Sequence, residues 1–402
     1  MTVACIAGKN RIAVEAAKHI RDTYGQLDLR VLPCVGDDGL DSWQPSLKCW
    51  ALSCGVMIAS LDDLYPVSDL LFISLEYDRL IVPSNFATKR LYNIHFSLLP
   101  EYKGSYTSIW PILDGKDYSG VTLHKIDDGI DTGDIIVQKR IPIMMEDTSR
   151  TIYEKYLTAG SNLLRQWMPL LITDTISAFP QSHSDSTFKS RRSIDFRTLS
   201  IDLKQTAYTV HNQIRAFTFR EYQLPTVHGV AISGSKILNE RSTARPSEVI
   251  EETENEFRIA TIDYDIILYK DLLELLFSAC RNAAPEDVIM RLISNPIDLN
   301  TKNANGWSVL MVAAYNYHKV AVELLVKNGA NVNQSNYKGT TILMYAKSAP
   351  SRGRDLSMIK WLIEKGADIN ARDKSGRTIL SYARSDGDFD LAGLLIGYGG
   401  CE

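Results

Sequence analysis

The 402-residue sequence predicts three folding units in series: an α/β domain built on a mainly parallel sheet over residues 1–190, a small β-rich domain over 191–270, and an all-α repeat array over 271–402. Three observations carry this reading. Short apolar β-type runs alternate with helical patterns through the first third of the chain, and such alternation implies a parallel sheet covered on both faces. From Asp195 to Lys270 the pattern changes to one helix and several short β-type pieces. Beyond that, Gly306, Gly339 and Gly376 recur at spacings of 33 and 37 residues, as in stacked repeats.

In chain order, the β-type runs of the first unit are TVACIA, LDLRVLP, DLLFIS, LYNIHFS and GVTLHKI, with helical spacing over 11–24. A long helix is expected over 149–174, capped by Asp147 or Ser149, and the polar SHSDSTFKSRRS after it reads as a loop. The second unit has its helix over 202–217 and strands in HGVAISGSKIL, FRIATI and DIILY. In the third, Asn305-Gly306, Lys338-Gly339 and Ser375-Gly376 each precede a helical run. The phrases NPIDLN, NGANVN and KGADIN keep the same rhythm, and SAPSRGRDLS absorbs the four extra residues. This pattern resembles the ankyrin repeat, a β-turn finger and two antiparallel helices that cannot bury their apolar face alone. Its usual Thr-Pro-Leu-His stands here as Ser308-Val309-Leu310-Met311, Thr341-Ile342-Leu343-Met344 and Thr378-Ile379-Leu380-Ser381. Residues 271–303 read as a modified capping repeat, and Leu310, Ala313, Ala314, Leu324 and Leu325 follow core spacing.

Composition narrows the function. A formal net charge of −4 gives no electrostatic reason to expect nucleic acid. The opening TVACIAGKNRIAVEAAKHI is unlike a signal peptide, and no window approaches the roughly 18 uninterrupted apolar residues of a membrane span. The six cysteines show no CxxC pair and no metal-ligand rhythm with the seven histidines. A cytoplasmic protein with reduced thiols, no metal and no membrane contact is expected.

The residues that carry chemistry are concentrated in Asn93-Ile94-His95-Phe96-Ser97-Leu98-Leu99-Pro100, then Lys103-Gly104, Gly120-Val121-Thr122-Leu123-His124, and Asp127-Asp128-Gly129-Ile130-Asp131-Thr132-Gly133-Asp134. An amide, imidazoles and carboxylates sit at strand ends and Gly-rich turns, where an open α/β sheet places its ligands. Taken singly, such residues are usually turn formers, caps or solvated side chains. Together, over roughly residues 1–230, they make the chain similar to the folate-dependent formyltransferases, which act on methionyl-tRNA, glycinamide ribonucleotide or nucleotide-linked amino sugars.

That resemblance implies a Rossmann-like catalytic domain with Asn93, His95 and Asp131 as the catalytic set and 10-formyltetrahydrofolate as co-substrate. Moving a formyl group to an amine passes through a carbon bearing a developing oxyanion, which an amide such as Asn93 stabilises. His95 polarises the carbonyl or takes the amine's proton, and Asp131 orients the imidazole or relays that proton. The resemblance places the donor along LLFISLEYDRLIVP, held through backbone groups after a strand, with Leu75, Glu76 and Tyr77 as contacts and Asp127 in the opposite wall.

For the acceptor, Gly8-Lys9-Asn10 lies between a strand and a helix, where amides and the Lys9 charge can meet a phosphate. The resemblance assigns Lys9 and Asn10 to the diphosphate of a nucleotide sugar. Lys189-Ser190-Arg191-Arg192-Ser193-Ile194-Asp195-Phe196 and Ile214-Arg215-Ala216-Phe217 look like segments of the sugar-modifying branch. The family's Pro-Tyr-Pro-Gly is Arg220-Glu221-Tyr222-Gln223 here, so Tyr222 is either an aromatic wall for base or sugar or a solvent-facing loop residue.

The attached repeats make the chain look most like enzymes that formylate dTDP-3-amino-3,6-dideoxyglucose for O-antigen synthesis. A methionyl-tRNA formyltransferase, which would need a basic surface for the tRNA backbone, is the rival. An ankyrin interaction protein with an inactive enzyme domain is opposed by the intact Asn93, His95 and Asp131. Trp307, at a finger, is the expected ankyrin contact, near Tyr315, Tyr317 and Tyr337. A protein partner, a homodimer or a small effector such as the sugar nucleotide are the expected occupants of that surface.

Overall fold

Val3–Gly8 forms β1, buried along its whole length because it runs through the middle of a covered sheet. The computed structural model describes residues 1–182 and 184–402; His183, part of the expected loop, lies outside the described residues. After β1 come α1 (Asn10–Thr23), β2 (Asp28–Pro33), α2 (Leu47–Cys54), β3 (Met57–Ile58), α3 (Leu61–Leu64), β4 (Leu70–Leu75) and β5 (Leu91–His95). Then follow β6 (Lys103–Gly104), α4 (Trp110–Leu113), the hairpin of β7 (Tyr118–Lys125) and β8 (Ile135–Pro142), and α5 (Ser149–Thr173).

The main sheet has the order β3-β2-β1-β4-β5-β7-β8. Pairing is parallel from β3 to β5 and antiparallel for β7 and β8. The mainly parallel expectation holds, with an antiparallel edge added. β8 is hidden in the sequence because exposed Gln138, Lys139 and Arg140 interrupt its apolar ends. The order reverses at β1, which has β2 on one side and β4 on the other, so a crevice opens outside the carboxyl ends of β1 and β4. Open α/β sheets bind ligands at such a point.

The cap of α5 is Thr148, not Asp147 or Ser149: the Thr148 hydroxyl accepts the Thr151 N–H. Asp147 instead accepts the Thr151 hydroxyl, and the Ser149 hydroxyl donates to the Thr218 carbonyl. α1 and α5 share one core with the sheet, through Ile12, Ile20, Tyr156, Leu157 and Met168.

β9 (Phe188–Lys189) pairs in parallel with β6. α6 (Ala207–Phe217) begins later than its apolar pattern suggests, because Thr206 caps it while Asp202 closes a turn onto Lys204 and Gln205. Ile194, Phe196, Ala216, Phe217 and Phe219, in the stretch expected to form the small domain, pack on the core of the main sheet. A five-stranded sheet follows in the order β10-β11-β14-β13-β12, from β10 (Thr226–Val227), β11 (Val230–Arg241), β12 (Val249–Glu252), β13 (Glu256–Ile259) and β14 (Tyr264–Lys270). β12, all exposed, has only Val249 and Ile250 as apolar signal in the sequence. The chain divides into two units, Met1–Ile250 with Arg258–Ile267, and Glu251–Phe257 with Leu268–Glu402.

The second unit holds four helix pairs: α7 (Leu273–Arg281) with α8 (Glu286–Ile293), α9 (Val309–Tyr315) with α10 (Lys319–Lys327), α11 (Ile342–Lys347) with α12 (Ser357–Glu364), and α13 (Ile379–Ser385) with α14 (Phe389–Gly397). The retained Ser308, Thr341 and Thr378 cap α9, α11 and α13, each accepting an N–H three residues on. The last asparagine of each recurring phrase stitches neighbouring repeats. Asn300 donates to Gly329 O and accepts from Asn331 N–H, Asn333 does the same with Gly366 and Asp368, and Asn370 with Gly399 and Cys401. Leu310, Ala313, Ala314, Leu324 and Leu325 are buried. Among the described residues no helix is long and apolar enough to cross a membrane.

Candidate active site

β5 carries Asn93 and His95 two residues apart, so both project on the same side of the strand while Ile94 enters the core. Antiparallel register sets Asn93 opposite His124 and His95 opposite Thr122. The Asn93 Nδ2 lies 3.0 Å from His124 Nε2, and His124 Nδ1 lies 2.7 Å from the Lys125 carbonyl. Since only a protonated Nδ1 can bond that carbonyl, Nε2 is the acceptor and fixes one N–H of the Asn93 amide. The other N–H faces Asp131 Oδ1 at 3.4 Å, long enough to be surrendered to a substrate oxygen.

His95, 8% exposed, donates from Nε2 to the Tyr102 carbonyl at 2.8 Å, which leaves Nδ1 facing Asp131 Oδ2 at 3.4 Å. Nδ1 is therefore the ring nitrogen left able to gain a proton. Asp131 sits at φ +54° and its Oδ2 accepts the Gly104 N–H at 2.9 Å. Gln181 Nε2 donates to the Asp131 and Gly133 carbonyls, at 2.9 and 2.7 Å, and pins the loop from another chain segment. A Cβ on Gly133 would lie 1.9 Å from the Lys125 carbonyl oxygen, so only glycine fits. Asp127, expected in the donor wall, spends Oδ1 on the Gly129 N–H and the Thr132 hydroxyl and shapes the loop.

His124 is the member that sequence reasoning left without a role, although the motif contains it. It is 2% exposed, and burial holds its pKa below the ordinary histidine range, against the pull of Asp131. The folded state thus favours neutral His124, a contribution that is full above the unfolded pKa of about 6.5 and lost as pH falls below it. The urea midpoint is expected to drop as pH falls from about 6.5 to about 4, and His124→Gln should flatten that drop. Equal slopes for variant and wild type would remove His124 as the cause.

The second group lies at the β1–β4 crevice. Asn10 (φ +64°) and Glu76 (φ +58°) both hold left-handed backbone, a strain of order 1–3 kcal/mol each that the surrounding contacts must offset. Asn10 Nδ2 donates to Tyr153 Oη at 2.7 Å and to Glu76 Oε2 at 3.1 Å, and the Tyr153 hydroxyl donates to the same Oε2 at 2.7 Å. Burial raises the Glu76 pKa, opposed by Tyr153, Lys9 and Asn10. Donor and acceptor contacts expected separately thus touch each other.

Three expectations change in detail. The amides of Lys9 and Arg11 are already taken, by the Leu75 carbonyl and Gln44 Oε1, so Lys9 offers its ammonium rather than a nest of N–H groups. Leu75 is sealed in the core and its carbonyl already accepts from Lys9. Tyr77 packs on the opposite core cluster with Tyr65 and Ile126. Tyr222 is 62% exposed, its ring 4.7 Å from Phe219 and 5.7 Å from Trp43. Trp43 and Phe219 in turn lie 5.9 and 5.7 Å from Tyr153, which makes an aromatic shelf leading to Glu76.

In the ankyrin unit Trp307 does not project freely. It is half-buried, with Tyr345 at 4.5 Å and Tyr315 at 5.6 Å, because the hairpin tyrosines fill the space that small residues would leave open. Asn336 Nδ2 donates to the Tyr345 hydroxyl beside this stack. No group of three or more His, Cys, Asp or Glu suited to a metal occurs among the described residues.

An amide donor, an imidazole with one uncommitted nitrogen and a loop carboxylate thus meet at the carboxyl end of a mainly parallel sheet. Residues 71–168 match the formyl transferase family model, and 276–373 match ankyrin repeats in three copies. Two solved structures resemble the chain. The sugar 3N-formyl transferase WlaRD, determined with dTDP and 5-N-formyl-THF, is 43% identical at TM-score 0.63, covering 67% of this chain and 98% of its own. An N-formyltransferase from Helicobacter canadensis, in complex with folinic acid and dTDP-3-aminofucose, is 41% identical at TM-score 0.63, covering 67% and 100%. The methionyl-tRNA formyltransferase of Lachnospira eligens is 28% identical over 173 residues, 42% of this chain and 55% of its own length, so the chain spans just over half of that relative. The Staphylococcus epidermidis enzyme of the same name is 30% identical over 53% of this chain and 69% of its own. The chain belongs to the formyltransferase family, alongside its sugar N-formyltransferases, with ankyrin repeats following the catalytic unit.

Proposed function

We propose that the chain transfers the formyl group of 10-formyltetrahydrofolate to the amine of a dTDP-linked 3-amino-dideoxyhexose, 3-amino-3,6-dideoxyglucose being favoured, for a surface polysaccharide such as O-antigen. The supporting observation is the Asn93, His95 and Asp131 constellation in a chain more than 40% identical to two sugar N-formyltransferases over almost their whole length. Asn93 donates its free N–H to the oxygen that becomes negative. His95 Nδ1 takes the amine's proton, with Asp131 Oδ2 steadying the imidazolium, and returns it to the folate N10 as the tetrahedral carbon collapses and the C–N bond to tetrahydrofolate breaks. Lys9 faces the diphosphate and Tyr222 the base. Both substrates are polar, and the six free thiols suit the cytoplasm.

Purified protein incubated with 10-formyltetrahydrofolate and the dTDP-3-amino sugar should yield a sugar heavier by one formyl group. No gain on 3-amino or 4-amino acceptors, with formylation of initiator methionyl-tRNA instead, would transfer the chain to the tRNA branch.

The ankyrin unit is proposed as a contact surface that includes Trp307, for a protein partner, a second copy of the chain or, in the alternative that a titration tests, a small effector such as the sugar nucleotide. With the effector, calorimetric titration of the full chain is expected to show two dTDP-sugars per chain, reduced to one in Trp307→Ala with turnover chemistry intact. A single site in wild type would leave protein contact, or pairing with a second copy of the chain, as the role of this surface.

A further inference from the structure

We propose that Glu76 belongs to the acceptor side of the site and reads a hydroxyl of the hexose that flanks the reacting amine, an inference that rests on the sugar-formylation reading above. Three neighbouring strands set the geometry. Gly8 pairs with Leu75 across β1 and β4, and Leu75 pairs with Ile94 across β4 and β5. Lys9–Asn10, Glu76 and Asn93–His95 therefore leave the same edge of the sheet side by side. With strands about 4.8 Å apart, the first and last of these groups are about 10 Å apart and Glu76 lies between them.

A nucleotide sugar whose diphosphate meets Lys9 and whose amine meets Asn93 and His95 lays its hexose over the β4 end. The Lys9 ammonium makes no ion pair among the described residues, whereas Arg11 and Arg150 are tied to Glu154.

The carboxylate is built for this use. Oε2 takes both internal donors, Asn10 Nδ2 and the Tyr153 hydroxyl, and is thereby held in place. Oε1 makes no hydrogen bond among the described residues, and it is not sealed from solvent. One oxygen anchors and the other is free to accept. The anchors come from the loop after β1 and from α5, and Tyr153 continues into the shelf of Trp43, Phe219 and Tyr222. Tyr153 thus joins the open carboxylate to the aromatic shelf on the same side of the site as the Lys9 cation.

The test is steady-state kinetics on the full chain with the parent acceptor and with analogues lacking the 2- or the 4-hydroxyl. In wild type, loss of one of these hydroxyls is expected to lower kcat/KM about tenfold or more, since a site built to bond a hydroxyl rejects its absence. Glu76→Gln should raise the acceptor KM by a similar factor, leave the KM for 10-formyltetrahydrofolate within about twofold, and lose little more when the hydroxyl is also removed. Tyr153→Phe, which frees Oε2 from one anchor, should move the acceptor KM in the same direction and not the donor KM. Wild type indifferent to both hydroxyls overturns the proposal without any variant. A rise in donor KM alone in Glu76→Gln returns the residue to the folate side and overturns it too. Wild-type turnover of the parent acceptor separates this failure from failure of the formyl-transfer reading, in which case both fall.

Discussion

His95→Ala is expected to lower kcat by about 10²–10⁴-fold, the range for losing a positioned acid–base group, with binding of the sugar nucleotide little changed. The size follows from how the ring is held. Nε2 is committed to the Tyr102 carbonyl, so the imidazole cannot turn, and Nδ1 is aimed at the space it shares with Asp131 Oδ2. Alanine removes the imidazole that faces that carboxylate oxygen and is proposed to carry the amine's proton. Single-turnover rates and calorimetric affinity for the dTDP-sugar, measured on the same folded sample, separate chemistry from binding. A variant that turns over within a few-fold of wild type would place the proton elsewhere.

Asn93→Ala is expected to lower kcat by about 10²–10³-fold, as for loss of one oxyanion donor. It should also destabilise the fold, because His124 Nε2 would be left buried without its donor, a penalty of about 1–3 kcal/mol. The two effects are read by different measurements, kcat and the thermal midpoint. Pairing Asn93→Ala with His124→Gln distinguishes them: the stability losses should be less than additive, since both variants remove the same hydrogen bond. Additive losses would mean that the bond does not form.

The sequence reveals the catalytic set through its motif and the repeats through their period, and it is silent where the chain closes on itself. β4 and β5 are legible because they are apolar and buried. β8 and β12 are not, since an edge strand with an exposed face carries the composition of a loop. In the repeats, Ser308, Thr341 and Thr378 survive as caps even though the family's proline and histidine are gone, and Asn300, Asn333 and Asn370 keep the inter-repeat bonds. Those are one-residue functions with one-residue signals. The Asn10–Glu76–Tyr153 network has none: its members lie 66 and 77 residues apart along the chain, and only the strand register brings them together. Trp307 was expected at an open finger for the same reason, since Tyr345 is a repeat away in sequence and its neighbour in space.

The grip of Gln181 on the loop of Asp131 has a bearing on how the enzyme is made. A growing chain has emitted Asn93, His95 and Asp131 well before Gln181 leaves the ribosome, and the β6–β9 pair that follows needs Phe188 and Lys189 as well. The last bonds that hold the Asp131 loop are therefore made late in synthesis, after α5 is complete. A polypeptide cut just past α5 would display the whole formyl-transfer motif and hold the loop of its carboxylate by Gly104 and Asp127, without the two Gln181 bonds.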